Sequence, residues 1–187
     1  MEPVTIFQIT AFIPATIAIT VLSWRALGNP RSHGFYRFFA FESIVVIVLL
    51  NIPFWIKNAL SPLQILSWIL LIASLIFVIQ GVYLLRKLGG SAQRQDSPET
   101  FAFENTANLV TVGIYKYIRH PLYSSLLLLA WGAYLKHITI AGTIAAIVAT
   151  VALVATAKMD ERECLHTFGT AYAAYMKKTK KFIPYLF

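Results

Sequence analysis

The run PLQILSWILLIASLIFVIQGVYLL, residues 62–85, contains no charged side chain, and its reading decides the fold class. A bilayer core about 30 Å thick needs roughly 20 apolar residues in a helix, so a stretch of this length predicts a membrane span. Two similar runs precede it. One covers about Thr5 to Trp24 and is interrupted only by Gln8 and Pro14; the other covers about Phe35 to Ile56 and carries Glu42, with Asn51 and Pro53 near its far end. The first lacks the basic start and small-residue cleavage site of a signal peptide and is read as a permanent span. Downstream, apolar character returns at Pro121 to Leu135 and at Ile138 to Ala157, separated by Lys136 and His137. The fourth run is short, which predicts tilting or packing beside the fifth as a helical hairpin. The expected fold is all-α: a polytopic membrane protein with five transmembrane helices, residues 1–85 supplying three and residues 86–187 the rest.

Composition agrees. Of 187 residues, 58% are hydrophobic and 13% charged, against roughly 25% charged in soluble domains. A mean hydropathy of +0.67 excludes general disorder. Sixteen Lys and Arg against eight Asp and Glu give a net charge of +8. Fourteen of the sixteen fall between runs one and two, between three and four, or after the fifth; only Lys57 and Lys136 lie on the other side. The positive-inside rule then places the N-terminus outside and the C-terminus in the cytoplasm. Basic residues placed this way speak for topology, and nucleic acid is not an expected partner. Cys164 is the single cysteine, and with four scattered histidines it forms no disulfide or zinc pattern; no metal is expected.

Both long polar segments, Arg86 to Arg119 and Lys158 to Phe187, then face the cytoplasm. The first ends in Asn108 to Tyr123, where Gly113 permits a turn and Pro121 suits the first turn of a helix. Unpaired N–H groups at that helix start, beside Arg119 and His120, can hold an anion. Boundary Arg and Tyr are equally consistent with headgroup contacts and an interfacial aromatic belt. In the second segment Glu161, Leu165, Phe168, Tyr172 and Tyr175 recur at spacings of 4, 3, 4 and 3, one stripe of a helix. That stripe fits packing or membrane-surface binding, and Gly169 marks a bend or a close approach. Asp160 and Glu161 stand where the fifth run leaves the membrane; the ordinary account is a solvated helix turn, the functional one a site shared with His120.

Two ordered motifs carry a resemblance. Gly113-Ile114-Tyr115 followed by Arg119-His120-Pro121-x-Tyr123, then Asp160-Glu161-x-x-x-Leu165-x-x-Phe168-Gly169-x-x-Tyr172-x-x-Tyr175, resemble the isoprenylcysteine carboxyl methyltransferases and related membrane methyltransferases, in a compact prokaryotic form. The match covers roughly the C-terminal half. The resemblance implies S-adenosyl-L-methionine as cofactor, S-adenosyl-L-homocysteine as product, and an isoprenylated or similar lipophilic carboxylate arriving from the bilayer. It implies that Leu109 and Val110 line the cofactor site, that Tyr115, His120 and Tyr123 contact the cofactor, that Asp160 and Glu161 offer it a carboxylate, and that Glu104 is a looser polar contact. Two departures stand out. Asp160 replaces the family's usual Glu, and Thr156 occupies the place of an Arg thought to face substrate in eukaryotic members.

Methyl transfer to a carboxylate needs in-line approach and little proton movement, because the carboxylate is already ionised near neutral pH. No residue is therefore assigned as acid or base, and losing His120 should weaken cofactor binding. No strand followed by a Gly-rich turn suggests a Rossmann-type site. The alternatives are methylation of a phospholipid amine or another lipophilic nucleophile, or a noncatalytic membrane module or transporter, although no internal repeat is evident. Glu42, an intramembrane carboxyl near the expected cytoplasmic boundary, lies within reach of Arg37, Arg119 or headgroups. Cys164 and His166 read as packing and interfacial side chains, and His33 and His137 have no assigned role. Membrane lipids are expected partners, no obligate protein partner is inferred, and a prokaryotic cell membrane is favoured over endoplasmic reticulum.

Overall fold

The computed structural model describes residues 6–90 and 104–184. Thr5, the end of the tail at Phe187, and Arg94, one of the fourteen basic residues counted for topology, lie outside the described residues. Five α-helices follow one another: α1 (Ile6–Leu27), α2 (His33–Asn51), α3 (Pro62–Leu88), α4 (Pro121–Tyr134) and α5 (Ile140–Lys178). Their starts are set by local chemistry. Ser32, Ser61 and Thr139 cap α2, α3 and α5 by accepting from the backbone N–H of Phe35, Gln64 and Gly142. Pro62 and Pro121 occupy first turns, where their missing N–H is no loss.

Helices α1, α3, α5 and the segment His33–Phe54 are long and apolar enough to cross a membrane, consistent with an integral membrane protein. Helix α4 has 14 residues, about 21 Å at 1.5 Å per residue and short of the hydrocarbon thickness. It lies inside the bundle, packed against α3, with α2 and α5 on its other flank. The apolar fifth run continues through the charged turn Lys158–Glu163 without a break, and the rest of the amphipathic stripe follows across a kink, so that α5 is two helical stretches joined at a non-helical residue. Gly169, at φ 56° and ψ −130°, bends it. An added Cβ there would touch nothing within 4 Å, so the glycine serves the bend and not a close approach.

The pattern is inverted relative to a soluble bundle. The buried residues of α3 are Gln64, Ser67, Ser74 and Gly81, while Ile65, Ile69, Ile72, Leu75 and Ile79 point outward. Ser67 donates to the carbonyl of Gly132 at 2.6 Å and Ser74 to that of Ser125 at 2.7 Å. Small and hydroxyl residues let membrane helices approach where apolar burial gives no net driving force. The α2–α5 seam follows suit: Ile44 and Ile47 pack on Ala145, Ala146 and Ala149, with Ala130, Ala133 and Tyr134 of α4 completing the cluster. Helix α1 is held to α2 by polar links, Gln8 to the Leu49 carbonyl at 2.9 Å and the Thr16 hydroxyl to Glu42 at 2.8 Å. Glu42 therefore faces α1, where the sequence suggested Arg37 or Arg119, because those arginines are taken by other carboxylates.

Candidate functional site

One cavity opens where α2 begins, α3 ends, α4 begins and α5 emerges from its apolar part. Glu104, Leu109, Val110, Tyr115, His120, Tyr123 and Asp160, seven of the eight residues singled out from sequence, line it. The 3₁₀ turn Gly113–Lys116 presents Tyr115. Gly113 sits at φ 60°, so the backbone favours glycine there, and a Cβ would also push on the tip of the Leu84 side chain at 2.6 Å. Tyr115 reaches the Gly81 carbonyl at 3.5 Å and its own carbonyl accepts from the Tyr175 hydroxyl at 2.6 Å, which locks the turn between α3 and α5.

His120 is buried, stacked on Tyr123 at 5.4 Å, with Nδ1 3.4 Å from Asp160 and Nε2 3.3 Å from Glu161. Burial alone would lower the His120 pKa, but the two carboxylates outweigh it and raise it. Burial would conversely raise Asp160, yet the bond from His120, the charges of His33 and His120 and a bond from Tyr123 hold its carboxyl well below the ordinary range. Glu104 is also lowered: burial opposes ionisation, but His33 and Arg37 favour it more. Arg37 donates through Nη1 to both Glu104 oxygens, at 3.0 and 2.8 Å. Burial pushes the Tyr115 hydroxyl upward, so it stays protonated.

Glu161 departs from the expected arrangement. It does not line the cavity; Arg119 Nε at 2.9 Å, Lys181 Nζ at 2.9 Å and His120 surround its carboxylate. The expected anion site at the first turn of α4 has the chain's tail beside it. Residues 179–182 double back: Arg119 N–H donates to the Lys180 carbonyl at 2.8 Å and His120 N–H to that of Lys181 at 3.2 Å. Arg119 Nη1 further donates to the carbonyls of Met176 and Thr179. Phe182 is buried beneath His120, and its carbonyl accepts from Ser124 at 2.9 Å. Thr156, in the position of the missing arginine, is fully buried and donates to Ala152 of its own helix.

Sequence reading missed several lining residues. His33, at the start of α2, receives Glu163 on both its backbone N–H, at 3.0 Å, and its ring Nδ1, at 2.7 Å. Asp160 and Glu163, three apart on one helix, share a face, which is the signal that could have revealed Glu163. Phe168, Tyr172 and Tyr175, read as a packing stripe, border the cavity, as does Cys164, whose thiol points to Asp160 at 3.6 Å. His33, Asp160 and Glu163 also place potential metal-ligating atoms within 4.8 Å of one another, a grouping not anticipated from spacing.

Residues 20–179 match the DUF1295 family, described as proteins of unknown function. The chain belongs to that family. The match takes in only the last eight residues of α1, the whole of α2, α3, α4 and α5, and every residue of the cavity. The chain is also similar to a methanethiol S-methyltransferase of Pseudomonas deceptionensis, at 22% identity over 184 residues, which are 98% of this chain and 62% of that protein. This chain thus spans less than two thirds of that relative's length. No solved structure gives a significant match.

Proposed function

We propose that this protein is an integral membrane methyltransferase that uses S-adenosyl-L-methionine to methylate a lipophilic acceptor, with the cavity on the cytoplasmic side and α4 completing five crossings. When bound, the cofactor supplies a methyl group on a sulfonium, and transfer to a carboxylate oxygen requires no proton movement. The donor set suits it. Asp160 offers an ionised carboxylate to the cofactor's ammonium, Leu109 and Val110 provide an apolar wall for adenine, and Tyr115 and Tyr123 add aromatic surface. His120, with a carboxylate at each ring nitrogen, orients Asp160. Glu104, tied to Arg37, closes the same wall.

The observation that carries the reading is the paired state of the cavity's acids and bases. Asp160 and Glu104 are held ionised, His120 protonated and Tyr115 neutral, each by an identified neighbour or by burial. None is poised to accept a proton near neutral pH. That favours an acceptor already ionised on arrival, and the carboxylate of an isoprenylated cysteine or a similar lipophilic acid fits. The 22% relative favours a second reading, a lipophilic thiol acceptor; a phospholipid amine is a third. The test is labelled methyl transfer from S-adenosylmethionine by purified protein in liposomes, offered N-acetyl-S-farnesylcysteine, a long-chain thiol or phosphatidylethanolamine. Base-labile ester from the first, abolished in Asp160→Asn, is the expected result. Thioether or methylamine would reassign the acceptor, and no product together with no cofactor binding by folded protein would overturn the methyltransferase.

A further inference from the structure

The end of the bundle opposite the cavity carries Lys57 and Lys136. Among the described residues it has no carboxylate: Glu42 lies mid-way along α2, and Glu104, Asp160, Glu161 and Glu163 gather at the cavity. Lys136, just after α4, is only 4% exposed. Its ammonium donates to Gln64 Oε1 at 3.1 Å and lies 3.5 Å from the ring centre of Trp68 and 5.7 Å from that of Trp55. Gln64 is fixed there, because its own Nε2 donates to the Lys136 carbonyl at 2.9 Å. An ammonium has three donors. Gln64 accepts one, and the indole faces attract the charge without supplying a lone pair.

A second cation stands beside it. Lys57 lies 5.5 Å from the ring centre of Phe54, which also stacks in parallel on His137, with ring centres 3.8 Å apart. Lys57, Lys136 and His137, with Asn58, Ser61 and Gln64, line one open pocket of about 360 Å³. We propose that this pocket binds the phosphate of an anionic membrane lipid, with Lys57 and Lys136 as its charge partners and His137, Asn58 and Ser61 as further hydrogen-bonding groups.

A lipid is favoured over a free phosphate by what surrounds the pocket. Leu63, Leu135 and Ile138 line it, and Ile56 and Leu60, 83% and 88% exposed, stand beside it, surfaces against which acyl chains can lie. Trp55 and Trp68 fit the headgroup level, where indoles collect. A buried charge without a counter-ion is costly in a low dielectric, and a phosphate oxygen at Lys136 removes that cost. Basic pockets between membrane helices bind lipid headgroups by this logic. The proposal is independent of any methyl transfer.

The test reads the two tryptophans that flank Lys136. In protein carrying Trp24→Phe and Trp131→Phe, Trp55 and Trp68 remain as reporters, and their quenching by brominated phosphatidylglycerol is compared with that by brominated phosphatidylcholine in vesicles. Preference for the anionic lipid by about tenfold is expected from two lysines. Lys57→Gln, at an exposed position, should cut the preference several-fold, and Lys136→Gln should do so further where it folds. Inorganic phosphate at millimolar concentration should leave the quenching unchanged. Equal quenching by the two lipids, or an unchanged preference in folded Lys57→Gln, overturns the proposal; relief by inorganic phosphate would make the ligand a free anion and also overturn it.

Discussion

The two ends of this bundle handle charge in opposite ways. At the cavity end His33, Arg37, Arg119, His120 and Lys181 meet Glu104, Asp160, Glu161 and Glu163 at separations of 2.7–3.9 Å. At the other end two lysines rest on aromatic rings and one amide. Buried ion pairs rarely add much stability over an apolar core, but removing one partner is strongly destabilising. A paired end therefore fixes geometry and charge state, whereas an end held by ring faces leaves its donors open to an outside ligand.

The contrast breaks most visibly at Glu161, which serves three cations. Glu161→Ala should lower stability by about 3–5 kcal/mol, since Arg119, His120 and Lys181 all lose a partner. Thermal unfolding in detergent reads this, and a midpoint equal to wild type would show that the network is ornamental. Asp160→Asn should act on binding more than on folding. Losing a charge-assisted hydrogen bond, worth about 1.5–3 kcal/mol, should weaken S-adenosylmethionine binding by at least about tenfold with a smaller change in midpoint. Calorimetric titration checks it, and an unchanged affinity would remove Asp160 from the cofactor site.

Acid and alkali should sharpen the same comparison. Asp160 and Glu161 are depressed, so their contribution is complete above the ordinary carboxylate range near about pH 4 and is lost as pH falls through their folded values, about 2 for Glu161. Against burial, which raises it, Glu161 is held down first by His120 and then by Lys181 and Arg119. His120 is raised, so its contribution is complete below its ordinary value of about 6.5 and is lost as pH rises through the folded one. Midpoints measured across pH should therefore be highest on the mildly acidic side, and His120→Gln should flatten the alkaline limb. The smallest effect belongs to the α3–α4 seam, which carries no charge. Ser67→Ala, which removes a bond to Gly132, should cost about 0.6 kcal/mol, and a loss several times larger would mean that the seam is more than close packing.

Bilayer thickness made the helices legible, because apolar length is read directly from the chain: α1, α2 and α3 stand within a few residues of their expected bounds, apart from Ile52–Phe54, which winds into a 3₁₀ turn at Pro53. The continuity of α5 was not legible, since a change from apolar to charged residues signals a change of solvent and not of backbone. The two motifs supply four of the seven cavity residues, Tyr115, His120, Tyr123 and Asp160, because they sit on short ordered turns and helices; Glu104, Leu109 and Val110 came with the resemblance. Arg37 with Glu104, 67 residues apart, and His33 with Glu163, 130 apart, are products of tertiary packing that no spacing rule reaches. That the returning tail would bind the amides of Arg119 and His120, just before α4, was not legible either, because the tail leaves no periodic signal.

That tail also sets an order of assembly. The bonds that hold His120 and Arg119 come from residues some 60 positions later in the chain. At about 5–20 residues per second, a ribosome needs roughly 3–12 s to cover that distance. Within that interval the nascent chain completes α4 and the first motif, yet the floor beneath the imidazole is still missing. The packing around His120 is thus completed in one late step, when residues 179–182 dock, and not gradually as the helices enter the bilayer.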